Sequence, residues 1–355
     1  MMVDNSSKKV DVSIIGVTGY AGGELLRLLL AHPLVNIKHI TAARSFIDQP
    51  VTNAYPSLFG ACDLKVELTD VDQVVADSDV IFLAMPAGQG IEPAAKAVSQ
   101  GKRVIDISTD FRFRDTAVYE KWYGIKHDYP QLAASAVYGL PELFREEIGQ
   151  AEIIANPGCF PTASLLALYP LFKNGLAKQN SVIVDAKSGV SGAGKSPTDA
   201  NIYAQVNENL KAYNVAKHRH TPEIEQILTA VSQKTQVINF TPHLTPMTRG
   251  ILATIYVDLK EAVSTEKLIE LYQDTYADEY FVKVYEAGIW PQTKWTWGSN
   301  FCHLGVTFDE RTQRAVVCGS IDNLMKGAAG QAVQNLNILC GFAENLGLEL
   351  LPVFP

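Results

Sequence analysis

The chain contains 355 residues and carries a formal net charge of -8, because 30 Lys and Arg stand against 38 Asp and Glu. Apolar residues make up 47% and charged residues 19%, an ordinary globular composition that excludes a largely disordered chain. At this length a single hydrophobic core is unusual, so two domains are expected. A mildly acidic chain without a basic block is a poor partner for nucleic acid or for an anionic membrane, and no apolar run reaches the ~18 residues that a transmembrane helix needs.

Five cysteines are scattered along the chain without a C-x-x-C pair: Cys62, Cys159, Cys302, Cys318 and Cys340. Their odd number and wide spacing predict neither a disulfide framework nor a zinc site. The polar start of the chain and the short apolar stretch after it are typical of neither a signal peptide nor a transit peptide. We therefore expect a protein of the reducing cytoplasm that binds no metal.

The first part of the chain alternates strand patterns with helix patterns. Short apolar runs predict strands over residues 10–15, 36–42, 80–85, 103–108 and 151–155, with helices over 24–30 and 91–99. Strands that alternate with helices form parallel sheets with crossover connections. The fold predicted here is an α/β domain of the Rossmann type with a doubly wound parallel sheet.

After residue 158 the pattern changes. Strands are predicted over 182–186, 236–240, 251–259, 301–308 and 315–321, with helices over 222–231 and 265–276 and a long helix over 324–344. This order predicts an α+β domain with a mixed sheet, to which we assign substrate binding; a role in dimerisation is implied only by the family resemblance of the motifs. We predict a nucleotide-binding domain over 1–158, a catalytic domain over 159–322 and a C-terminal segment over 323–355.

A glycine-rich turn, Gly16-x-x-Gly19-x-x-Gly22, joins the first strand to the first helix. Glycines there let the backbone approach a pyrophosphate at the helix N-terminus, although a glycine turn without a ligand is the alternative. The second strand ends in Ala42-Ala43-Arg44-Ser45, without the carboxylate that binds the ribose of NAD, so Arg44 and Ser45 predict NADP unless Arg44 is a solvated loop residue. The cofactor contacts expected in this region are Gly16, Thr18, Gly19, Tyr20, Ala21, Gly22, Arg44 and Ser45.

Cys159 is the candidate nucleophile. It follows Asn-Pro-Gly after a predicted strand and precedes an apolar helical run, which predicts a position at a helix N-terminus. The partial positive charge at such an end lowers a thiol pKa from about 8.5, and the thiolate is the reactive form. An inert buried cysteine is the alternative, and we accept that interpretation for the other four cysteines.

The segment His218-Arg219-His220-Thr221-Pro222-Glu223 offers the proton partner. Thr221 as N-cap and Pro222 as first helical residue predict that His220 lies on the loop before a helix, where imidazolium is disfavoured and a neutral base is available. Glu223 is close enough to orient the ring. We predict His220 as the base. His218 in that role, a metal-binding pair and a solvated pair of histidines are the alternatives.

Three cations are candidate substrate ligands. Arg112 follows a predicted strand, Arg249 precedes one, and Lys195 ends a second glycine-rich loop that starts at Ser188. Each alone is more typical of a surface charge, but together with Cys159 they suit an anionic substrate, since arginine binds phosphate or carboxylate through two donors.

The ordered motifs resemble the N-acetyl-γ-glutamyl-phosphate reductase family of the aspartate-semialdehyde dehydrogenase superfamily, over nearly the whole chain. They are the glycine turn from Gly16 to Leu25, Asp110-Phe-Arg112, Tyr138-Gly-Leu-Pro-Glu142, Asn156-Pro-Gly-Cys159-Phe-Pro-Thr162, Ser188-Gly-Val-Ser-Gly-Ala-Gly194, His218-Arg-His220, Phe240-Thr-Pro-His243, Arg249-Gly250 and Asp322-Asn-Leu-Met-Lys326-Gly-Ala-Ala-Gly330.

The resemblance implies a cytoplasmic NADPH enzyme, commonly a homo-oligomer (dimer or tetramer), with Cys159 as its active-site cysteine. It also implies that the C-terminal helix returns to the nucleotide domain, that Asn323 lies near the cofactor, and that Ser191 and Gly192 lie near the nicotinamide. Lys195 departs from the family pattern, because it stands where arginine is frequent and lacks the two-pronged geometry of a guanidinium.

The activity implied is reductive dephosphorylation of an acyl phosphate through a cysteine thioester. The nearest rival substrate is the aminoadipyl phosphate of lysine biosynthesis, one methylene longer, a difference worth only ~1–3 kcal/mol of discrimination. The rival of another class is a non-catalytic NADP-binding regulator that has kept the fold.

Overall fold

The computed structural model describes residues 9–354, and the contacts within the chain divide it into two compact units. The first unit contains the residues up to Pro157 together with Ala329–Glu349, and the second contains Gly158–Ala328 and the tail from Leu350. The domain boundaries expected from the sequence stay a prediction. No helix of the described residues is long and apolar enough to cross a membrane.

The first unit is built on a seven-stranded parallel sheet with the order β3-β2-β1-β4-β5-β7-β6. The predicted doubly wound sheet is therefore confirmed. Its elements are β1 Val10–Ile15, α1 Tyr20–Leu30, β2 Val35–Ala42, β3 Glu67–Leu68, α2 Val71–Asp77, β4 Val80–Leu83, α3 Ile91–Ser99, β5 Arg103–Asp106, α4 Thr116–Tyr123, α5 Pro130–Ser135, β6 Val137–Tyr138, α6 Pro141–Ile148 and β7 Ile153–Ala155.

Hydrophobic patterning explains the centre of this sheet. The four residues of β4 are all buried, as is typical of a central parallel strand covered by helices on both faces. The edge strands β3 and β6 have two residues each, too short for a periodic signal, and the sequence predicted neither.

The second unit is built on a mixed seven-stranded sheet with the order β12-β13-β14-β11-β8-β10-β9, as expected for an α+β domain. Alternate residues of β8 and β11 are buried, and α7 packs against β11 and β14, so one face of the sheet carries the core. The elements are α7 Cys159–Lys173, β8 Ile183–Ser188, α8 Tyr203–Val206, β9 Lys211–Ala212, α9 His220–Ser232, β10 Asn239–Leu244, β11 Ile251–Asp258, α10 Thr265–Thr275, β12 Val282–Val284, β13 Cys302–Asp309 and β14 Arg314–Ile321.

The strand predicted over 236–240 lies three to four residues further along the chain. Strand β10 covers Asn239–Leu244 and includes Pro242. The edge strand β9 pairs with β10 only at His243 and Leu244, so Pro242 removes no hydrogen bond from that ladder.

The prediction of one long helix over 324–344 was wrong. Met325–Ala329 is a π-helical turn, and the regular helix α11 covers only Gly330–Leu339. The chain leaves the helix shortly afterwards, where Gly341 adopts a φ of 69°, a left-handed conformation that suits a helix end.

Helix α11 belongs to the first unit, where it packs against α1 and α6. Gln331 and Asn335 donate hydrogen bonds to the Gly139 carbonyl at 2.7 and 2.9 Å. A Cβ at Gly139 would lie 2.5 Å from Nδ2 of Asn335, so the helix approaches this loop at a distance that only glycine allows. This close packing accounts for the glycine in the Tyr138-Gly-Leu-Pro-Glu142 motif.

Candidate active site

The glycine turn of the first unit forms a close-packed cradle at the start of α1, whose N-cap is Gly19. Gly16 has a φ of 95°, and a Cβ there would lie 2.3 Å from the Ala84 carbonyl oxygen. A Cβ at Gly22 would lie 2.4 Å from the Gly16 oxygen. Bare backbone is therefore required on both sides of the helix N-terminus, and this arrangement fits the pyrophosphate of a dinucleotide.

Tyr55 supports this turn, and no pattern in the sequence predicted it. Its hydroxyl donates to the carbonyl oxygens of Val17 and Gly19 at 3.1 and 2.7 Å, and its ring fills the space beside Gly23. Burial raises the pKa of Tyr55 well above its usual value, so the hydroxyl remains a donor. No local motif could have identified it, because Tyr55 lies 36 residues beyond Gly19.

Arg44 and Ser45 are exposed directly after β2. The neighbouring residues 41–43 are Thr and two Ala, so this strand end presents a cation and a hydroxyl but no carboxylate.

The motif Asp110-Phe-Arg112 organises the loops that follow β4 and β5. The Asp110 carboxylate accepts the N–H groups of Gly88 and Gly90 and the hydroxyl of Tyr119, at 2.7, 2.9 and 2.7 Å. Burial, together with repulsion from Asp110, raises the pKa of the neighbouring Asp106 to about 7. The Asp110 carboxylate therefore holds the loop after β4 and the loop after β5 together within the first unit.

Arg112 is almost completely buried. Its Nε donates to the Asn156 carbonyl at 2.9 Å and its Nη2 to the Ile107 carbonyl at 3.3 Å. These bonds hold the backbone just after β7, and Cys159 follows Asn156 by three residues in the chain. A role of Arg112 as substrate ligand stays a prediction.

Cys159 is the first residue of α7 and is half-buried. The fully buried Glu223 accepts the N–H of Gly158 at 2.8 Å, which fixes the backbone immediately before the cysteine. The first helical bond, from the N–H of Thr162 to the Gly158 carbonyl, is 2.9 Å long. Helix geometry directs the N–H groups of the first turn out of its end, where they favour a thiolate.

The two histidines lie together in the second unit, with ring centroids 4.8 Å apart. Helix α9 begins at His220, so the prediction that His220 precedes the helix and that Thr221 is the N-cap was wrong. The N-cap residue is Arg219, and Nδ1 of His218, one residue earlier, accepts the N–H of His220 at 3.1 Å. Pro222 is tolerated within the first turn, where an N–H has no intrahelical partner.

This hydrogen bond assigns the form of His218. A ring nitrogen that accepts an N–H carries no proton, so the neutral ring of His218 holds its proton on Nε2. Burial, reinforced by the charge of Arg219, lowers the pKa of His218 to about 4. His218 is therefore neutral at physiological pH.

Tyr213 and Gly327 also lie near the cysteine, and no pattern in the sequence predicted a role for either. Tyr213 packs against His218 with ring centroids 5.5 Å apart, and its pKa is raised by burial and by the nearby Cys159. A Cβ at Gly327 would lie 2.8 Å from the Cβ of Cys159. The glycine within the Asp322–Gly330 motif is thus explained by the space that the cysteine occupies.

A second set of predicted residues meets around the end of β14. Asn323 donates to the hydroxyl of Ser191 at 2.9 Å and accepts the N–H of Gly250 at 2.8 Å. Arg249, one-fifth exposed, lies 3.4 Å from the carboxylate of Asp322. Gly192 and Lys195 are exposed on the loop that follows Ser191.

The remaining cysteines differ from Cys159 in their surroundings. Cys62 and Cys302 are buried, burial raises the pKa of Cys318, and burial together with Asp79 raises the pKa of Cys340 to about 11. Across residues 9–354 no group of three or more His, Cys, Asp or Glu side chains is arranged to hold a metal ion.

Comparison with known proteins identifies both units. Residues 11–151 match the family model of the semialdehyde dehydrogenase NAD binding domain, and residues 159–323 match that of the semialdehyde dehydrogenase dimerisation domain. These matches indicate a nicotinamide cofactor. Among solved structures, aspartate semialdehyde dehydrogenase II of Vibrio cholerae has a TM-score of 0.71 at 19% identity, covering 94% of this chain and 99% of its own. The Candida albicans enzyme, solved with NADP, has a TM-score of 0.71 at 16% identity, covering 96% of this chain and 100% of its own. Both show the same fold.

Curated relatives are much closer. Proteins named N-acetyl-gamma-glutamyl-phosphate reductase from Heliobacterium modesticaldum and Thermoanaerobacter sp. are 51% and 49% identical, each over 98% of this chain and 100% of its own length. A protein of the same name from Moorella thermoacetica is 48% identical over the same shares. The family resemblance inferred from the motifs is confirmed: the chain belongs to the N-acetyl-γ-glutamyl-phosphate reductase family of semialdehyde dehydrogenases.

Proposed function

We propose that this chain reduces N-acetyl-γ-glutamyl phosphate to N-acetyl-glutamate 5-semialdehyde in arginine biosynthesis, consuming NADPH and a proton and releasing phosphate. The observation that carries the proposal is the Cys159 thiol at the first residue of α7, with His218, His220 and Tyr213 grouped in the same unit. The shared name of relatives 51% and 49% identical along the whole chain supports this substrate.

Cys159 is the nucleophile. Its thiolate attacks the γ-acyl carbon, the sulfur–carbon bond forms, and the bond from that carbon to the phosphate oxygen breaks, which leaves a thioester on Cys159. The Gly158 N–H is engaged by Glu223 and Pro161 has no N–H, so the N–H groups of Cys159 and Phe160 are the donors of the first turn that stabilise the oxyanion.

His220 is the proton carrier. It accepts the thiol proton and passes it to the departing phosphate. His218 is less suited to this role, since its Nδ1 accepts the N–H of His220 and its pKa of about 4 makes it a weak base. When bound, NADPH supplies the hydride that reduces the thioester. The resulting oxyanion on the Cys159 adduct collapses to the aldehyde and regenerates the thiolate.

The cations bind the two anionic ends of the substrate. Arg249 is the best supported, because it is partly exposed and a buried carboxylate, Asp322, lies against it. Lys195 contributes a charge from an exposed loop without the fork of an arginine. Arg112 acts as a third cation or through the Asn156 loop that it braces. Substituting each in turn and measuring KM for both substrates of the reverse reaction separates these roles.

NADP is the cofactor, held by the glycine turn and by the end of β2. Gly16, Gly19 and Gly22 give the pyrophosphate access to backbone at the start of α1, and Thr18, Tyr20 and Ala21 line the same turn. Arg44 and Ser45 receive the 2′-phosphate, since the strand end offers no carboxylate. Ser191, Gly192 and Asn323, joined through the Asn323–Ser191 hydrogen bond, contact the nicotinamide end.

The protein is a cytoplasmic homo-oligomer that assembles through the outer face of the second sheet. The face of β11 opposite α7 carries Leu252, Thr254 and Tyr256, all half-buried, and the family model over this region is a dimerisation domain. Y256E should convert the oligomer to monomer in light-scattering chromatography. An unchanged mass contradicts this assembly.

The reaction is tested in reverse, with N-acetyl-glutamate 5-semialdehyde, phosphate and NADP, by following NADPH absorbance. Phosphate-dependent NADPH formation that C159S abolishes, while NADP still binds, supports both substrate and nucleophile. A signal only with the aminoadipate semialdehyde moves the protein to lysine biosynthesis. No signal with either aldehyde, from folded protein that binds NADP, indicates a regulator.

A further inference from the structure

Asp322 is a fully buried carboxylate at the end of β14 that joins several parts of the second unit. Its Oδ1 accepts the N–H groups of Leu324 and Met325 at 2.8 and 3.1 Å. Its Oδ2 accepts the N–H of Gly298 at 2.8 Å and lies 3.4 Å from Nη1 of Arg249. A buried carboxylate with this set of donors is held in one orientation.

The backbone of the same residue leads to the nucleophile. The Asp322 carbonyl accepts the N–H of Gly327 at 3.0 Å, a bond that spans five residues and belongs to the π-helical turn Met325–Ala329. Gly327 in turn abuts Cys159, since a Cβ there would lie 2.8 Å from that of the cysteine. One residue therefore contacts both Arg249, which precedes β11, and the turn that packs against Cys159.

We propose that Asp322 is a positioning residue, which holds the Arg249 guanidinium in the orientation that binds an anionic group of the substrate and ties it to the turn beside Cys159. The inference rests on the proposed function, because it takes Arg249 to be an anion ligand. An arginine held on one side by a carboxylate presents its remaining donors in a defined plane, whereas an unheld side chain samples many rotamers.

The same two strands provide a matched control. Arg314 and Asp258 form an ion pair at the opposite end of the β11–β14 ladder, with Nε 2.7 Å from Oδ1. That pair is more exposed, with 42% and 36% of the side chains accessible. D258N removes the same charge from the same strands without disturbing Arg249, and its mass is verified by light-scattering chromatography because Asp258 lies on the same face of β11 as Tyr256.

The first measurement determines KM and kcat separately for each variant in the reverse reaction. D322N should raise KM for phosphate or for the semialdehyde by about tenfold or more, the range for a charged hydrogen bond that is lost, with KM for NADP unchanged. The substrate whose KM rises is the one that Arg249 binds. D258N should match wild type. Wild-type KM values for both substrates in D322N overturn the proposal.

The second measurement does not depend on the substrate. Alkylation of Cys159 by iodoacetate, an anion, is compared with alkylation by neutral iodoacetamide. Loss of a negative charge alone favours the anion and raises the iodoacetate-to-iodoacetamide rate ratio in D322N. Loss of a positioned Arg249 instead lowers that ratio in D322N, despite the lost negative charge, toward the value in R249M, which has no guanidinium at all. A raised ratio in D322N overturns the proposal.

The two measurements distinguish failure of the proposed function from failure of the positioning role of Asp322. If wild-type enzyme shows no phosphate-dependent NADPH formation, the proposed function fails, and the alkylation ratio alone decides whether Asp322 positions Arg249. If D322N does not fold, R249K tests the pair from its exposed side, since lysine keeps the charge and loses the plane of donors. Its KM for the bound anion should rise about tenfold. An unchanged KM in R249K overturns the requirement for a positioned guanidinium.

Discussion

Gly327 offers the sharpest test of how Cys159, the proposed nucleophile, is placed. In G327A the added methyl would lie 2.8 Å from the Cβ and 3.3 Å from the Cα of Cys159. Two such carbons normally approach to about 3.5–4.0 Å, so the cysteine or the turn must shift by roughly 1 Å. A displacement of that size at a reacting atom costs on the order of 10²-fold in rate. We expect kcat to fall about 100-fold.

The assay combines kcat with the rate of Cys159 alkylation by iodoacetamide, and both should fall in G327A while NADP affinity is unchanged. Thermal unfolding verifies the fold, because alanine within a helical turn offsets part of the strain. G149A is the control, since the nearest atom to a Cβ there is 3.5 Å away, at ordinary contact distance. Wild-type kcat and alkylation in G327A refute the view that this glycine keeps space for the thiol.

Three further changes test the first unit. R44A should raise KM for NADP about tenfold with KM for NAD unchanged, as measured by initial rates, because a phosphate contact is lost; equal effects on both cofactors contradict the assignment. Y55F removes the two hydrogen bonds to the glycine turn and should weaken NADP binding several-fold and lower the free energy of unfolding by ~1 kcal/mol, by fluorescence titration and urea unfolding. Burial lowers the pKa of His39, but the hydrogen bonds that its ring donates to the carboxylates of Asp77 and Glu67 outweigh burial, so the pKa is raised. This stabilisation is fully present below the unfolded value of about 6.5 and is lost as pH rises through the folded pKa. H39Q should therefore lower the free energy of unfolding by ~1 kcal/mol or less at pH 5.5, since the carboxylates are partly exposed. At pH 9 the loss should be smaller. An equal loss at both pH values excludes the ion pairs as its cause.

Short-range patterns in the sequence were sufficient for the parallel sheet and for the start of α7. The glycine turn after β1 and the Asn-Pro-Gly segment before Cys159 encode backbone conformations within a few residues of each other, and the structure places helices directly after both. The start of α9 was misplaced by the same rules, because its N-cap residue is Arg219, which is not one of the residue types that favour that position.

Contacts between distant residues were decided only by tertiary packing. Asp322 and Arg249 are separated by 73 residues, and Tyr55 and Gly19 by 36, so no periodic or local signal relates them. Arg112 was predicted to bind substrate because of its charge, yet in the folded chain its Nε and Nη2 donate to backbone carbonyls. The sequence by itself determined the fold class, the family and the position of Cys159 at the start of a helix, because those depend on local backbone geometry and ordered motifs. Which side chains surround Cys159 depends on how β11, β14 and α9 pack, and only the tertiary structure decided it.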